Sequence, residues 1–277
     1  AAALLLTTAD GFNATVAMDV DASAMTSNIF TFDGSAENDG TFNITVAGTG
    51  AHNITLGQLG DTVTSTSTAA VTVVGTAGAN TITTGAGADL ITLGTGNDTI
   101  TAGDGADTIA LATANLTTND TINAGDGTDL MHTTAAMDLA DADFTNVTNV
   151  ETLTVAAVSD AMTLTMGAET SEAGISTVTL GNGSNSIQVG ALHTAALTVN
   201  ASTGVDIINA AAYTGALTVG ITEGGQVADT VTGGTGTNDT LSITPDSGGL
   251  VATDTDSVTA FENVVIASNA AAVQLVT

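Results

Sequence analysis

A nine-residue period in the middle of the chain leaves little freedom in how it folds. From Gly75 the sequence reads GTAGANTIT, TGAGADLIT, LGTGNDTIT and AGDGADTIA. Four residues, Leu111–Ala114, interrupt it; NLTTNDTIN and AGDGTDLMH then carry the register to His132. The sixth position is Asn80, Asp89, Asp98, Asp107, Asp120 and Asp129, and the eighth is Ile82, Ile91, Ile100, Ile109, Ile122 and Met131. Glycines let a turn reach positive φ, and a short β-branched run after each turn makes a strand whose eighth residue faces inward. Helix signals are weak throughout. The pattern predicts an all-β chain, a β-solenoid of short stacked strands joined by Gly/Asp turns.

The apolar ladder extends upstream through Ile54, Val63 and Val73. A second patch at 224–241 brings Asp229 and Asp239 into similar places, with Asn238 in the nominal sixth position and Asp239 one residue late. Fainter echoes stand at LGNGSNSIQ (180–188) and ASTGVDIIN (201–209). The chain divides on this reading into an N-terminal β segment with degenerate repeats (1–74), a repeat roll with a following β module (75–155), and a second β module (156–277).

Charge says what the turns are for. The chain has no Lys or Arg and 29 Asp plus Glu, a formal charge of −29. That excludes an electrostatic footprint for nucleic acid, a phosphate clamp and a Schiff-base lysine, and it opposes binding to an anionic membrane surface. Cysteine is absent, so disulfides and thiolate metal sites are excluded. No apolar run is long enough for membrane insertion. Carboxylates stacked at a strand spacing of about 4.8 Å repel one another, and no side-chain cation can neutralise them. Calcium takes six to eight oxygens from carboxylates and backbone carbonyls, which such turns offer together. The candidate ligands are Asn80, Asp89, Asp98, Asp107, Asp120, Asp129, Asp229 and Asp239. The alternative is that these residues only form Asx turns. Asp104 and Asp126 fall at the variable third position, as outward charges or outer-shell groups.

The units resemble G-G-x-G-x-D-x-U-x, the calcium-binding nonapeptide of the repeats-in-toxin (RTX) family. The resemblance implies a right-handed β-roll with two nonapeptides per coil. Asn80, Asp98 and Asp120 then form one column and Asp89, Asp107 and Asp129 the other, with about four calcium ions between successive turns. The sequence departs from the pattern at the first position, where Thr84, Leu93, Ala102, Asn115 and Ala124 replace glycine, and in the fifth unit, where Leu116 and Thr118 replace two more. GDGTDLM followed by FTNVTNVETLTV, and GTNDTLSI followed by DSVTAFENVVI, are similar to the calcium-dependent surface-layer (S-layer) proteins of Gram-negative bacteria. That likeness implies an extracellular structural subunit, exported by a type I system, that polymerises with copies of itself and has a surface polysaccharide as candidate anchor.

Catalytic signatures are lacking. His52, His132 and His193 form no HExxH, there is no G-x-S-x-G, and His132 reads as a strand-end residue. Glu151 and Glu262 could pair for glycoside chemistry but hold equivalent places in two copies of one module. The chain is read as a non-enzyme. The alternatives are a ligand-binding segment of a secreted RTX adhesin and the secretion domain of an RTX enzyme. Gly94–Asp98 is similar to the turn of calcium-dependent antifreeze adhesins, but Thr76–Ala79 and Leu116–Asn119 break that ladder on the neighbouring turns. Ala1–Thr8 is apolar without a basic flank and reads as the start of a mature or truncated product. It and Val273–Thr277 are the candidate strands for adding to a neighbouring subunit.

Overall fold

The structure, a computed structural model, describes residues 3–10, 17–112, 115–155, 161–222, 229–244 and 257–266. Val273–Thr277, residues 113–114 of the insert and residues 224–228 of the second patch lie outside them. The chain forms two compact units, Ala1–His132 with Asn146–Val150, and Thr133–Thr145 with Glu151–Thr277. Each is a stack of parallel strands. The described residues contain one α-helix of five residues, Ala168–Glu172, and one 3-10 turn, Asp141–Phe144, both in the second unit.

The first unit has two parallel ladders. One runs through Leu4–Thr7, Phe30–Asp33, His52–Thr55, Val71–Val74, Leu90–Leu93, Thr108–Leu111 and Leu130–Thr133. The other runs through Met18–Ala22, Phe42–Val46, Thr62–Ser65, Thr81–Thr83, Thr99–Thr101, Thr121–Asn123 and Val147–Thr148. Successive coils in the repeats are offset by 18 residues, and by 22 where the insert intervenes. The register is continuous through 74/75: Val63 pairs with Ile82, and Val73 with Ile91.

Period-2 alternation explains the core. Ile82, Ile100 and Ile122 stack in register on one ladder, Ile91 and Ile109 on the other, and all five are buried. The residues that replace glycine at the first position also face inward. Ala102 and Ala124 are fully buried, Leu93 is buried on the other ladder, and the Thr84 hydroxyl donates to the Ala102 carbonyl at 2.7 Å. Asn115 donates to the Leu93 carbonyl at 2.8 Å. The eighth and following first positions are two apart and share a face, so a side chain there widens a core that has few aromatic residues to fill it.

The outer face of the second ladder carries ranks of small polar residues. Asn43, Thr62, Thr81, Thr99 and Thr121 follow one another in register, and Thr45, Thr64, Thr83, Thr101 and Asn123 run beside them. A threonine ladder broken on the turns is thus present on the strands.

The second unit uses the same design with longer coils. Thr152–Thr154, Thr177–Thr179, Leu197–Asn200, Leu217–Thr222, Thr240–Thr244 and Asn263–Ile266 form one ladder. Thr163–Met166, Ser186–Val189, Ile207–Asn209, Thr230–Thr232 and Ser257–Thr259 form the other. Offsets here run from 20 to 27 residues.

Ile100 is buried between Ile82 and Ile122, whereas Thr99 is exposed. Ile100→Ala should cost about 2–5 kcal/mol by loss of packing. Thr99→Ala should stay within roughly 0.5 kcal/mol of the parent in chemical denaturation. The reverse order of effects would refute this register.

Candidate metal centre

The sixth residue of each repeat sits where a turn enters a strand. Its N–H points along the stack, and the sixth residue of the next coil supplies the acceptor. Oδ1 of Asp107 accepts from the Asp89 N–H at 2.7 Å, and Oδ1 of Asp129 from the Asp107 N–H at 2.7 Å. In the other column Asp98 accepts from Asn80 and Asp120 from Asp98, both at 2.8 Å. The carboxylates therefore form two rows along the coils, each residue 2% exposed or less.

The two rows differ in what happens to the second oxygen. Oδ2 of Asp120 accepts from the Thr117 N–H at 2.7 Å and from its hydroxyl at 3.0 Å, so the glycine-poor fifth unit satisfies its own carboxylate. Oδ2 of Asp89 and of Asp107 is buried with no hydrogen-bond partner. A buried polar atom left so costs about 1–3 kcal/mol, and more when it is charged.

Around this row the turns keep space open. Gly103 and Gly125 have φ of 96° and 104°, and a Cβ there would overlap the carbonyl oxygens of Gly85 and Gly103. A Cβ at Gly105 or Gly127 would overlap the carbonyl of Gly87 or Gly105 and stand 3.2 Å from Oδ1 of Asp107 or Asp129. The missing side chains leave carboxylate and carbonyl oxygens facing one another across successive coils. This donor set, all hard oxygen with unsatisfied carboxylates, fits calcium. Asp89, Asp107 and Asp129 with the Gly85, Gly87, Gly103 and Gly105 carbonyls are the residues that would hold it. Asp104 and Asp126 are exposed on the turn and pair in register, as the sequence reading placed them.

Without a cation the row resists ionisation. Burial pushes the Asp107 carboxyl up to about 6, against the Asp89 N–H that favours the anion, and the charges of Asp89, Asp129 and Asp104 raise it further. Burial also raises Asp89 and Asp98, and Asp120 adds its charge to the latter.

Asp229 and Asp239 lie in different rows of the second unit. Asp229 accepts from the Asp206 N–H at 2.8 Å, and Asp206 from the Asn185 N–H at 2.9 Å. Asp239 accepts from the Leu217 N–H at 3.0 Å and, on its other oxygen, from Gly234 at 2.7 Å. Asn238 takes φ of 83°, and this left-handed residue absorbs the one-residue offset seen in the sequence. Glu262 continues that row, accepting from the Asp239 N–H at 2.8 Å. Glu151 and Glu262 occupy one ladder five strands apart, roughly 24 Å at the usual strand spacing, beyond the reach of paired-carboxylate chemistry.

Sequence reasoning missed four members of these rows. Asp61 accepts from the Phe42 N–H at 2.8 Å through one oxygen and from Gly57 at 2.9 Å through the other. Asn185 and Asp206 were only echoes. His52 accepts from the Phe30 N–H through Nδ1 at 3.2 Å, and its Nε2 faces the Ala47 carbonyl at 3.1 Å. The partners assign the proton to Nε2. An apolar residue two places after a buried polar one, as in His52/Ile54, Asp61/Val63, Asn185/Ile187 and Asp206/Ile208, is the signal that would have found all four.

The Asp107 shift sets a pH dependence. Its folded value lies above the ordinary 3.8, so the folded state holds this proton more tightly than the unfolded state. The stability it contributes is complete below about 3.8 and is lost as pH rises through about 6. Calcium-free protein should therefore melt at a higher temperature at pH 4 than at pH 7. A chelated sample whose melting temperature climbs steadily over that interval would contradict this.

The RTX calcium-binding nonapeptide repeat, in four copies, matches residues 72–109 and 117–135. No curated protein matches the chain, and no solved structure does. The matched segments contain Asn80, Asp89, Asp98, Asp107, Asp120 and Asp129, the rows described above, and the repeats are calcium-binding motifs. The chain thus carries RTX-type calcium-binding repeats across these segments.

Proposed function

We propose that this protein is a structural subunit of a calcium-dependent extracellular assembly, an S-layer lattice or a surface fibre. RTX repeat proteins are typically secreted by type I systems, in keeping with an extracellular site of action. The observation that carries the reading is the buried Asp89–Asp107–Asp129 row in a chain with no Lys or Arg. Such a row is a framework element whose closure depends on an external cation, and calcium binding free energy then becomes folding free energy.

Polymerisation is supported by the edges of the ladders. Leu4–Thr7 stands at the margin of its ladder, pairing with Phe30–Asp33, and exposes Leu4 and Leu5 by 52% and 66%. In the second unit Asn263–Ile266 pairs with Thr240–Thr244 and exposes Val264 and Val265. Neither strand carries a charge in a chain of net −29, so a strand of a second copy can add at either margin without direct carboxylate repulsion. Calcium acts twice on this reading, folding the roll and lowering the repulsion between subunits.

Chelation should lower the melting temperature strongly and unwind 75–132 first. Asp107→Ala should weaken calcium binding and stability more than Asp104→Ala, because Asp104 is an exposed turn residue. Unchanged circular dichroism and melting in excess chelator would remove the calcium framework. Deleting residues 1–8 should leave a calcium-folded monomer that fails to polymerise in electron micrographs. Full assembly by the truncated chain would show that another face makes the contact.

A further inference from the structure

Two turns have the geometry of the aspartate turns but carry asparagine at the sixth position. In the second unit the Asn185 amide nitrogen lies 2.9 Å from the Gly181 carbonyl, 2.8 Å from the Gly183 carbonyl and 3.0 Å from Oδ1 of Asp206. Three oxygens thus converge on one nitrogen, in a residue that is 2% exposed. The amide oxygen of Asn185 is buried and has no hydrogen-bond partner. The opposite orientation of the amide would set that oxygen against three others, so the orphaned oxygen is the lesser penalty and the nitrogen's placement is fixed. Asn80 repeats the arrangement more loosely in the first unit. Its amide nitrogen lies 3.3 Å from the carbonyls of both Ala77 and Gly78, and its side chain also hydrogen-bonds to Asp98, favouring that carboxylate's charged form.

We infer that Asn80 and Asn185 are built-in substitutes for the cation: the amide nitrogen gives the oxygens of its own turn the positive partner that calcium gives to the Asp89 and Asp107 turns, so these two turns close without metal. The inference rests on the calcium reading of the aspartate row and adds which turns do not need it. Each unit then holds an asparagine turn that is formed before calcium arrives. In the first unit Asn80 stands between coils whose polar groups are met from within, as at Asp61, and the coils with unsatisfied carboxylate oxygens. Calcium-driven folding has a preformed edge to grow from, and the loop-closure cost of starting the stack does not fall on the first ion bound.

Asn185→Asp tests this, because it exchanges the donor nitrogen for a carboxylate oxygen at constant size. The full chain should then take up a single additional equivalent of calcium in isothermal titration. Its second unit should melt at a lower temperature than wild type in chelator and recover in excess calcium. Asn185→Ala, which removes both donor and ligand, should lose stability in chelator and in calcium alike and gain no equivalent. Asn80→Asp should behave as Asn185→Asp does. The inference is overturned if wild type binds calcium while Asn185→Asp keeps wild-type stoichiometry and wild-type melting in chelator. It is also overturned if excess calcium restores Asn185→Asp no better than Asn185→Ala. A wild-type chain that takes up no calcium at all would instead overturn the reading of Asp89, Asp107 and Asp129 on which this one stands.

Discussion

One hydrogen bond organises both units: the N–H of a sixth-position residue donating to the side chain of the equivalent residue one coil on. It recurs from Phe30 to His52, Phe42 to Asp61, Asp89 to Asp107, Asn185 to Asp206 and Asp239 to Glu262. At that junction the chain is leaving a turn, and its N–H is buried. A buried donor left unmet costs about as much as a typical point mutation destabilises a protein. Any side chain with an acceptor at the right height meets the need, which is why Asp, Asn, His and Glu can all stand in these rows. A carboxylate adds a consequence that asparagine and histidine lack. It brings a second oxygen and a full charge into a row where the next charge is one strand away. At an effective dielectric near 20, neighbouring charges at that spacing repel by roughly 3–4 kcal/mol. Some turns meet the second oxygen themselves, as Thr117 does for Asp120 and Gly57 for Asp61. Where none does, at Asp89 and Asp107, the fold waits for a cation.

Much of this was legible in the sequence where coils are built from two nonapeptides. The order of the columns, the inward isoleucines and the outward Asp104 and Asp126 all follow from a period of 18 and the alternation of a strand. The insert did not hide them, because it lengthens one coil without changing the phase on either side; Leu111 simply extends a strand into the core. The second unit was harder to read for a physical reason. Its coils are 20 to 27 residues long, and the extra residues fall in turns of differing length, so no fixed period survives. What survives is a local rule, a buried Asn or Asp two residues before an inward apolar side chain. That rule holds at Asn185, Asp206, Asp229 and Asp239, although only the last two were named from sequence. The first-position substitutions were misleading in the opposite sense. Thr84, Ala102 and Ala124 look like lost turn glycines, but they sit at the strand end of the turn and pack inward, where glycine would leave a gap.

The threonine ranks show how a sequence can carry a feature at a place other than the one its motif suggests. On the turns, Thr95 has Ala77 as its bridged neighbour, so no ladder forms there. On the strands, the seventh and ninth positions flank the inward isoleucine and therefore both face out. Thr81 with Thr83, and Thr99 with Thr101, are the result. Threonine suits this site because its branched carbon favours the extended backbone and its hydroxyl remains solvated. The same constraint that fills the core with isoleucine thus covers one face with regularly spaced, uncharged hydroxyl groups. The carboxylates of the repeats are confined to the turns.

That separation bears on how such a chain can remain unfolded and then fold once. With 29 carboxylates and no lysine or arginine, the metal-free polymer repels itself at neutral pH, and expansion is favoured over collapse. The repulsion is concentrated in rows that exist only when coils stack, so it opposes stacking more than it opposes individual turns. A cation that bridges successive coils reverses the sign of the contribution at the point where stacking begins. The turns at Asn80 and Asn185 differ from their aspartate neighbours by the exchange of one oxygen for an amide nitrogen, and that exchange removes the charge while keeping the acceptor or the backbone contact that each row requires. A single backbone geometry therefore serves two kinds of turn, one dependent on the surrounding calcium and one independent of it, and at Asn80 and Asn185 the choice between them is made by one atom.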